Sequence, residues 1–126
     1  FVERLLFNDP ITPMSDNDKE EYLKPYLDKG EGRRPTLTWP RNIPLDGTEP
    51  SETLNEVILN AEFHYESEIP KLFINANPGL ILTGEQRDEI RKWSSIKEVE
   101  VKGNHFIQED SSEEITNHLK EFYNSL

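Results

Sequence analysis

The 126-residue sequence contains no cysteine, which excludes disulfide bonds, a thiolate nucleophile and a cysteine-ligated zinc site. It contains no run of eighteen apolar residues, and no signal peptide is visible. These absences fit a soluble protein in a reducing compartment, so we expect a cytoplasmic location.

Positive charge is also scarce, since 14 Lys and Arg face 25 Asp and Glu and the net charge is −11. Phosphate contacts need clustered cations, so neither nucleic acid nor an anionic membrane is an expected partner. The pair Arg33-Arg34 is assigned to a solvated loop. No glycine-rich phosphate loop and no Gly-x-Ser-x-Gly elbow occur, and we expect no cofactor and no metal.

Only 33% of the residues are hydrophobic, which is little for an independent core of this length. Disorder has the same composition, but the regular patterns after residue 50 argue against it there. The sequence opens on the amphipathic run Phe1-Val-Glu-Arg-Leu-Leu-Phe7 without an initiator methionine. We therefore expect an upstream portion.

The first half of the sequence predicts little regular structure. Residues 1–7 resemble the end of a helix, which the turn Asn8-Asp9-Pro10 stops. Ser15 can cap a short helix near residues 16–24, with acidic residues in its first turn. Residues 28–50 are rich in glycine and proline and have no period, which predicts a long loop. Trp39-Pro40 is interpreted as a rigid apolar part of that loop.

The second half alternates helices and strands. A helical stripe follows Pro50, and residues 71–75 predict a strand that is buried on both faces. Thr83 and Gln86 have capping-box spacing at the start of the next helix. Residues 98–102 predict a second strand, and a last helix is expected from Asp110-Ser-Ser, with Glu113 and Glu114 as capping partners.

The order of these elements predicts an α/β fold with parallel strands joined by right-handed crossovers. Two parallel strands do not make a stable sheet alone, so we expect further strands from elsewhere.

His105 is the main candidate for chemistry. It follows the second strand at the edge where open α/β sheets place ligands, and Gly103 permits a sharp turn there. A general base also needs a partner that fixes its tautomer, usually a carboxylate. The spacing alone fits a catalytic base and a hydrogen-bonded structural histidine equally. His64 and His118 are assigned to packing or surface roles.

Glu109 and Asp110 are interpreted as complements of a helix N-terminus rather than as a catalytic acid pair.

Three segments closely resemble haloalkane dehalogenases of the α/β-hydrolase fold. They are Arg33-Arg-Pro-Thr-Leu-Thr-Trp-Pro-Arg-Asn-Ile-Pro44, Ile69-Pro-Lys-Leu-Phe-Ile-Asn-Ala-Asn-Pro-Gly79 and Gly103-Asn-His-Phe-Ile-Gln-Glu-Asp110. The resemblance implies the C-terminal part of such an enzyme, with the end of the helical cap and a connecting loop in residues 1–46. Residues 47–126 would form the C-terminal part of the hydrolase core.

The resemblance implies roles for individual residues. His105 matches the base that activates water. The other matches are expected to bind substrate, and they are Trp39, Pro40, Ile43, Leu80, Ile81 and Phe106. The substrate would be a small haloalkane, which water converts to an alcohol and halide through an alkyl-enzyme ester.

The family's nucleophilic Asp and halide-binding groups have no counterpart in this sequence. Asn75 and Asn77 stand where some members carry the catalytic acid, so the resemblance is to the subfamily with an upstream Glu. The chain is therefore expected to need the N-terminal part of the enzyme as its partner.

Two alternatives stay open at this stage. A coelenterazine-type luciferase has the same scaffold and shares two of these segments. Because one of them contains His105, that residue does not distinguish the luciferase from a dehalogenase. A non-catalytic acidic interaction module would instead lack an upstream elbow in which Asp is followed by Trp.

Overall fold

The computed structural model describes residues 1–43 and 51–126. Within them lie the following helices and strands: α1 Asp16–Leu23, α2 Arg34–Arg41, α3 Ser51–Glu66, β1 Lys71–Pro78, α4 Gly84–Ile90, β2 Ile96–Gly103 and α5 Ile107–Asn124. The predicted boundary between residues 46 and 47, and Pro50 as the first turn of a helix, lie outside the described residues.

Residues 1–7 were predicted to be the end of a helix, but the structure shows no α-helix there. They form turns that lead into a 3₁₀ turn at Leu6–Asn8. The 3₁₀ turn stops just before Pro10, whose ring is incompatible with a continuing helix. Its apolar pattern instead serves a small cluster in which Val2, Leu6 and Met14 are buried.

Helix α1 is confirmed with its predicted cap. The Ser15 hydroxyl oxygen accepts the backbone N–H of Asp18 at 3.2 Å, and Asp16 and Asp18 lie in the first turn. Pro25 does not end the helical path at once, because a 3₁₀ turn continues through Lys24–Tyr26.

The prediction of an unstructured loop over residues 28–50 is wrong for its described part. A 3₁₀ turn at Gly30–Arg33 runs into α2, so Trp39-Pro40 is helical and Arg33-Arg34 is not in a loop. Pro35 lies in the first turn of α2, where its missing N–H costs nothing. Pro40 is one residue from the helix end, so it disturbs a single hydrogen bond.

The two strands pair in parallel, as predicted, from Lys71 opposite Ile96 to Pro78 opposite Gly103. Both strands are longer than predicted, because their ladder continues through Asn77 and Pro78 to Gly103. Val101 is 1% exposed and is the most completely buried apolar side chain among the described residues.

Burial of β1 on both faces is not observed. Phe73 and Asn75 are buried, whereas Leu72 and Ile74 are only half-buried. The reason is that α5 packs mainly on β2 and much less on β1, so the face of β1 that carries Leu72 and Ile74 is only partly covered.

Helices α3 and α4 form where the sequence predicts them. Thr83 is the N-cap of α4, but its side chain makes no capping hydrogen bond. Helix α3 keeps its apolar stripe, yet Val57 and Ile58 are about half exposed. No helix within residues 1–43 and 51–126 is long and apolar enough to cross a membrane.

Helix α5 begins at Ile107, three residues earlier than predicted, and non-helical dihedrals at Ser111 divide it. The Ser111 hydroxyl donates to the Lys102 carbonyl oxygen at 2.7 Å, which ties the break to the end of β2. The predicted capping role of Asp110 is wrong, because its carboxylate binds amides of a different segment, as described below.

Much apolar surface stays exposed. The accessible area of the chain is 9372 Å², whereas a compact monomer of this mass exposes about 6,900 Å². Leu119, Leu80 and Ile69 are each at least half exposed. The two-stranded sheet also has backbone groups without a strand partner on its outer edges among the described residues.

We expect the 126-residue polypeptide, expressed alone, to melt broadly and to bind an apolar dye, because its sheet and helices expose the surface that a compact core buries. Circular dichroism and calorimetry would measure the melt, and size-exclusion chromatography the association state. A sharp cooperative melt of a monomer would contradict this expectation.

Candidate active site

The carboxyl ends of both strands meet at one edge of the sheet. Pro78 lies opposite Gly103, and the N–H of Gly79 donates to the Gly103 carbonyl oxygen at 3.0 Å. The loop after β1 and the turn after β2 therefore leave the sheet side by side. This is the edge at which open α/β folds bind ligands.

The turn that carries His105 depends on close backbone approach at Gly103. A Cβ atom there would lie 2.9 Å from Cγ2 and 3.2 Å from Cα of Ile107, in the first turn of α5. Only glycine fits this contact without a shift of the helix. His105 is exposed, and its ring meets the Phe106 ring edge to face at 4.8 Å.

Asp9 holds this turn from a distant part of the chain. Its Oδ2 accepts the N–H of His105 at 2.9 Å and that of Phe106 at 2.7 Å. Its carbonyl oxygen accepts a hydrogen bond from Nδ2 of Asn104 at 2.6 Å. Asp9 is 9% exposed. From the sequence it was assigned only to a turn, because no pattern links residues so far apart.

Asp110, at the start of α5, binds in turn the segment that follows Asp9. Its two carboxylate oxygens accept the N–H groups of Ile11 at 2.9 Å and Thr12 at 2.8 Å. Glu109 accepts the hydroxyl of Tyr22, and this hydrogen bond raises the pKa of Tyr22. Both acids lie in the first turn of α5, as predicted, and both also bind residues from the first part of the chain.

The predicted substrate residues Leu80, Ile81 and Phe106 all lie at this sheet edge. Leu80 and Ile81 are exposed in the loop after β1, at 63% and 58%. Phe106 is half-buried against the small cluster around Leu6, and its ring lies 6.3 Å from that of Phe1.

Arg87 braces the loop that carries Leu80 and Ile81. Its guanidinium donates to the carbonyl oxygens of Ala76 at 2.9 Å and Leu82 at 3.3 Å. Both ends of the loop are thereby bound to helix α4, and the side chains of Leu80 and Ile81 between them stay exposed.

Trp39, Pro40 and Ile43 are not part of this assembly in the structure. Trp39 and Pro40 lie in α2 and Ile43 just beyond it, and all three are exposed, Trp39 at 64%. Helix α2 packs mainly on the 3₁₀ turn that precedes it rather than on the described strands.

The polar residues of β1 bind glutamates of β2. Asn75 Nδ2 donates to Glu98 Oε1, and Asn77 Nδ2 donates to Glu100 Oε1, each at 2.8 Å. Arg91 also donates to Glu98, and these hydrogen bonds lower the pKa of that carboxyl. Asn75 and Asn77 thus pair the strands, and they supply no carboxylate to the site.

The remaining histidines agree with the roles predicted for them. The His64 ring stacks on Trp93 with centroids 4.5 Å apart, and His118 lies 3.8 Å from Glu121 on the same helix. In the described part of the chain, no carboxylate forms a hydrogen bond or ion pair with the His105 ring. No group of metal-ligating side chains occurs there either.

Both the sequence and the structure of the chain are similar to those of known proteins. The chain is 48% identical over 115 residues to a haloalkane dehalogenase of Sphingobium indicum, covering 91% of this chain and 38% of that enzyme. It matches the solved structure of a haloalkane dehalogenase from Agrobacterium tumefaciens with a TM-score of 0.84 and 27% identity, over 99% of this chain and 43% of the other. The chain is homologous to the C-terminal part of haloalkane dehalogenases.

The fold is accordingly the C-terminal part of an α/β-hydrolase fold, as the sequence predicted. The chain spans about two fifths of the length of the haloalkane dehalogenases that it matches. It is also 36% identical to the coelenterazine h 2-monooxygenase of Renilla reniformis, over 97% of this chain and 39% of that enzyme. No protein-family model matches it.

The contact at Gly103 generates a prediction. Gly103→Ala should loosen the His105 turn by about 1–3 kcal/mol, because over-packing against Ile107 forces the backbone to shift. Amide hydrogen exchange at His105 and Phe106, measured in the complete protein, should then be faster than in the wild type.

Gly32→Ala is the matched control, because a Cβ at Gly32 would meet its nearest atoms at 3.8 Å. Equal exchange rates at His105 in the two variants would contradict the prediction.

Proposed function

We propose that this chain is the C-terminal part of a haloalkane dehalogenase and that His105 is the base of its hydrolytic step. The main support for this proposal is the 48% identity to such an enzyme along 91% of this chain. An exposed imidazole on a glycine turn at the carboxyl edge of the sheet supports the assignment.

The proposed reaction has two steps. An aspartate of the N-terminal part attacks the alkyl carbon, and halide leaves with the bonding electrons to give an alkyl-enzyme ester. His105 then removes a proton from water, and the resulting hydroxide adds to the ester carbonyl. The tetrahedral intermediate breaks its bond to the alkoxy oxygen, which takes the remaining hydroxyl proton and leaves as the alcohol. The carboxylate is thereby restored, and His105 passes its proton to solvent. The first step does not use His105.

A carboxylate partner for the His105 ring would come from the N-terminal part, since Asn75 and Asn77 cannot supply it. In this proposal residues 1–46 belong to the helical cap and residues 47–126 to the core. The exposed apolar surface of the sheet and of α3 would then be covered by the rest of the hydrolase. On this basis the isolated chain is inactive.

The substrate residues would line an apolar cavity for a small haloalkane, which keeps bulk water from the reacting carbon. Leu80 and Ile81 would border it from the sheet edge, next to His105 and Phe106. Trp39, Pro40 and Ile43 would reach it only when the cap and core are assembled around the N-terminal part.

The second candidate function is a coelenterazine-type luciferase, and the 36% identity to the Renilla enzyme favours it. Halide release from short haloalkanes and light emission from coelenterazine, both measured on the complete protein, separate the two activities.

His105→Gln in the complete enzyme should release one equivalent of halide in a burst and then stop, because only ester hydrolysis needs the base. Rapid-quench measurement of halide and alcohol would follow the two steps. His118→Gln, a histidine of α5, is the control and should turn over normally. Continued turnover of His105→Gln at the wild-type rate would remove His105 from this role.

Ile43→Phe should shift the substrate preference toward smaller haloalkanes, because the larger ring would reduce the cavity volume without touching the reacting groups. The kcat/KM values for a series of chain lengths would show the shift. Ile69→Phe is the matched control, because Ile69 is also exposed and lies two residues before β1, away from the carboxyl edge of the sheet. An unchanged series for Ile43→Phe would show that Ile43 does not line the cavity.

A further inference from the structure

The turn between β2 and α5 donates hydrogen bonds to a residue that is distant in the sequence. Asn104, His105 and Phe106 are consecutive, and all three donate to a single residue, Asp9. Residues 95 to 97 positions apart are thus joined at the point where the candidate base leaves the sheet.

Asp9 is built into this position. Asp9 as a whole residue is 9% exposed, and burial of a carboxylate is costly unless hydrogen bonds compensate. The two N–H donors at 2.7 and 2.9 Å supply that compensation. Bonds from amides to a carboxylate are stronger than those to a neutral oxygen, so they fix the direction of both peptide groups.

We propose that Asp9 is a positioning residue for His105, an inference that rests on the proposed role of His105 as base. Asp9 acts through the turn, by its hydrogen bonds to residues 104–106, rather than on the reacting groups. By fixing the peptide groups of residues 105 and 106, it sets the direction in which the imidazole leaves the sheet edge.

The alternative is that Asp9 merely tethers the N-terminal segment to the core. The structure contains a second contact with that simpler role. Asp110 joins the same two segments through the amides of Ile11 and Thr12, and it does not bind the amides of His105 or Phe106. The two aspartates therefore form a matched pair in which only one holds the turn.

The test compares three variants of the complete enzyme: Asp9→Leu, which removes the acceptor at similar size, Asp9→Asn, which keeps a neutral oxygen, and Asp110→Leu. In Asp9→Leu the halide burst should stay intact, whereas steady turnover should fall about ten- to a hundredfold, the cost of a misplaced catalytic group. Asp9→Asn should recover part of that loss.

Asp110→Leu should lower the melting temperature while steady turnover stays close to that of the wild type. Equal loss of turnover in Asp110→Leu and Asp9→Leu would overturn the inference, since any tether would then suffice. The inference also fails if Asp9→Leu slows the burst and the turnover in the same proportion. If Asp9→Leu does not fold, wild-type turnover in Asp9→Asn overturns it and slowed turnover with an intact burst supports it.

A second measurement does not depend on turnover. The amide proton resonances of His105 and Phe106 should move upfield in Asp9→Leu and stay in place in Asp110→Leu, because only Asp9 accepts those protons. Failure of the proposed function is recognised separately, by the absence of any halide release from the wild type. Normal turnover in Asp9→Leu with a wild-type enzyme that requires His105 would refute the inference alone.

Discussion

The parallel ladder between β1 and β2 is the constraint on which the candidate site depends. Its register brings Pro78 and Gly103 to the same level, and every residue assigned to the core side of the site follows from that alignment. A shift by one residue would reverse the direction of all side chains of a strand and move the turn relative to its neighbour. Burial of Val101 and of Phe73, which lie on opposite faces of the sheet, makes such a shift costly.

The second organising feature is the reciprocal exchange of carboxylates between the ends of the chain. Asp9 accepts amides from the turn after β2, and Asp110 accepts amides from the segment after Asp9. Each acid satisfies donors that a short irregular segment cannot satisfy by itself. An acidic protein thus uses part of its negative charge internally, where the partners are backbone N–H groups rather than lysine or arginine.

The sequence was most informative where periodicity and turn chemistry act locally. The order of the elements after residue 50, the parallel pairing and the Ser15 cap could be read from spacing, and the resemblance to haloalkane dehalogenases identified the homology. The helix over 34–41 was missed because its two prolines were counted as breakers, although Pro35 occupies a first turn and Pro40 lies near the end.

The long-range contacts were beyond reach for a different reason. Nothing in the spacing of Asp9 or Asp110 distinguishes a residue that binds amides far along the chain from one that ends a turn. The burial of β1 on both faces was predicted from its apolar run, yet that burial requires a helix on each side, and within the described residues only α5 packs extensively on the sheet. A local pattern reports what a segment can bury, and the surrounding structure decides what covers it.

The break at Ser111 divides α5 into parts with different obligations. The single turn from Ile107 to Asp110 is bound to β2 and to the N-terminal segment, whereas the long part beyond it has mostly exposed side chains. Substitutions at the exposed positions of residues 112–124 therefore leave the hydrogen bonds of the His105 turn in place. The charge of this outer surface can change without a change in the conformation of the turn that precedes the helix.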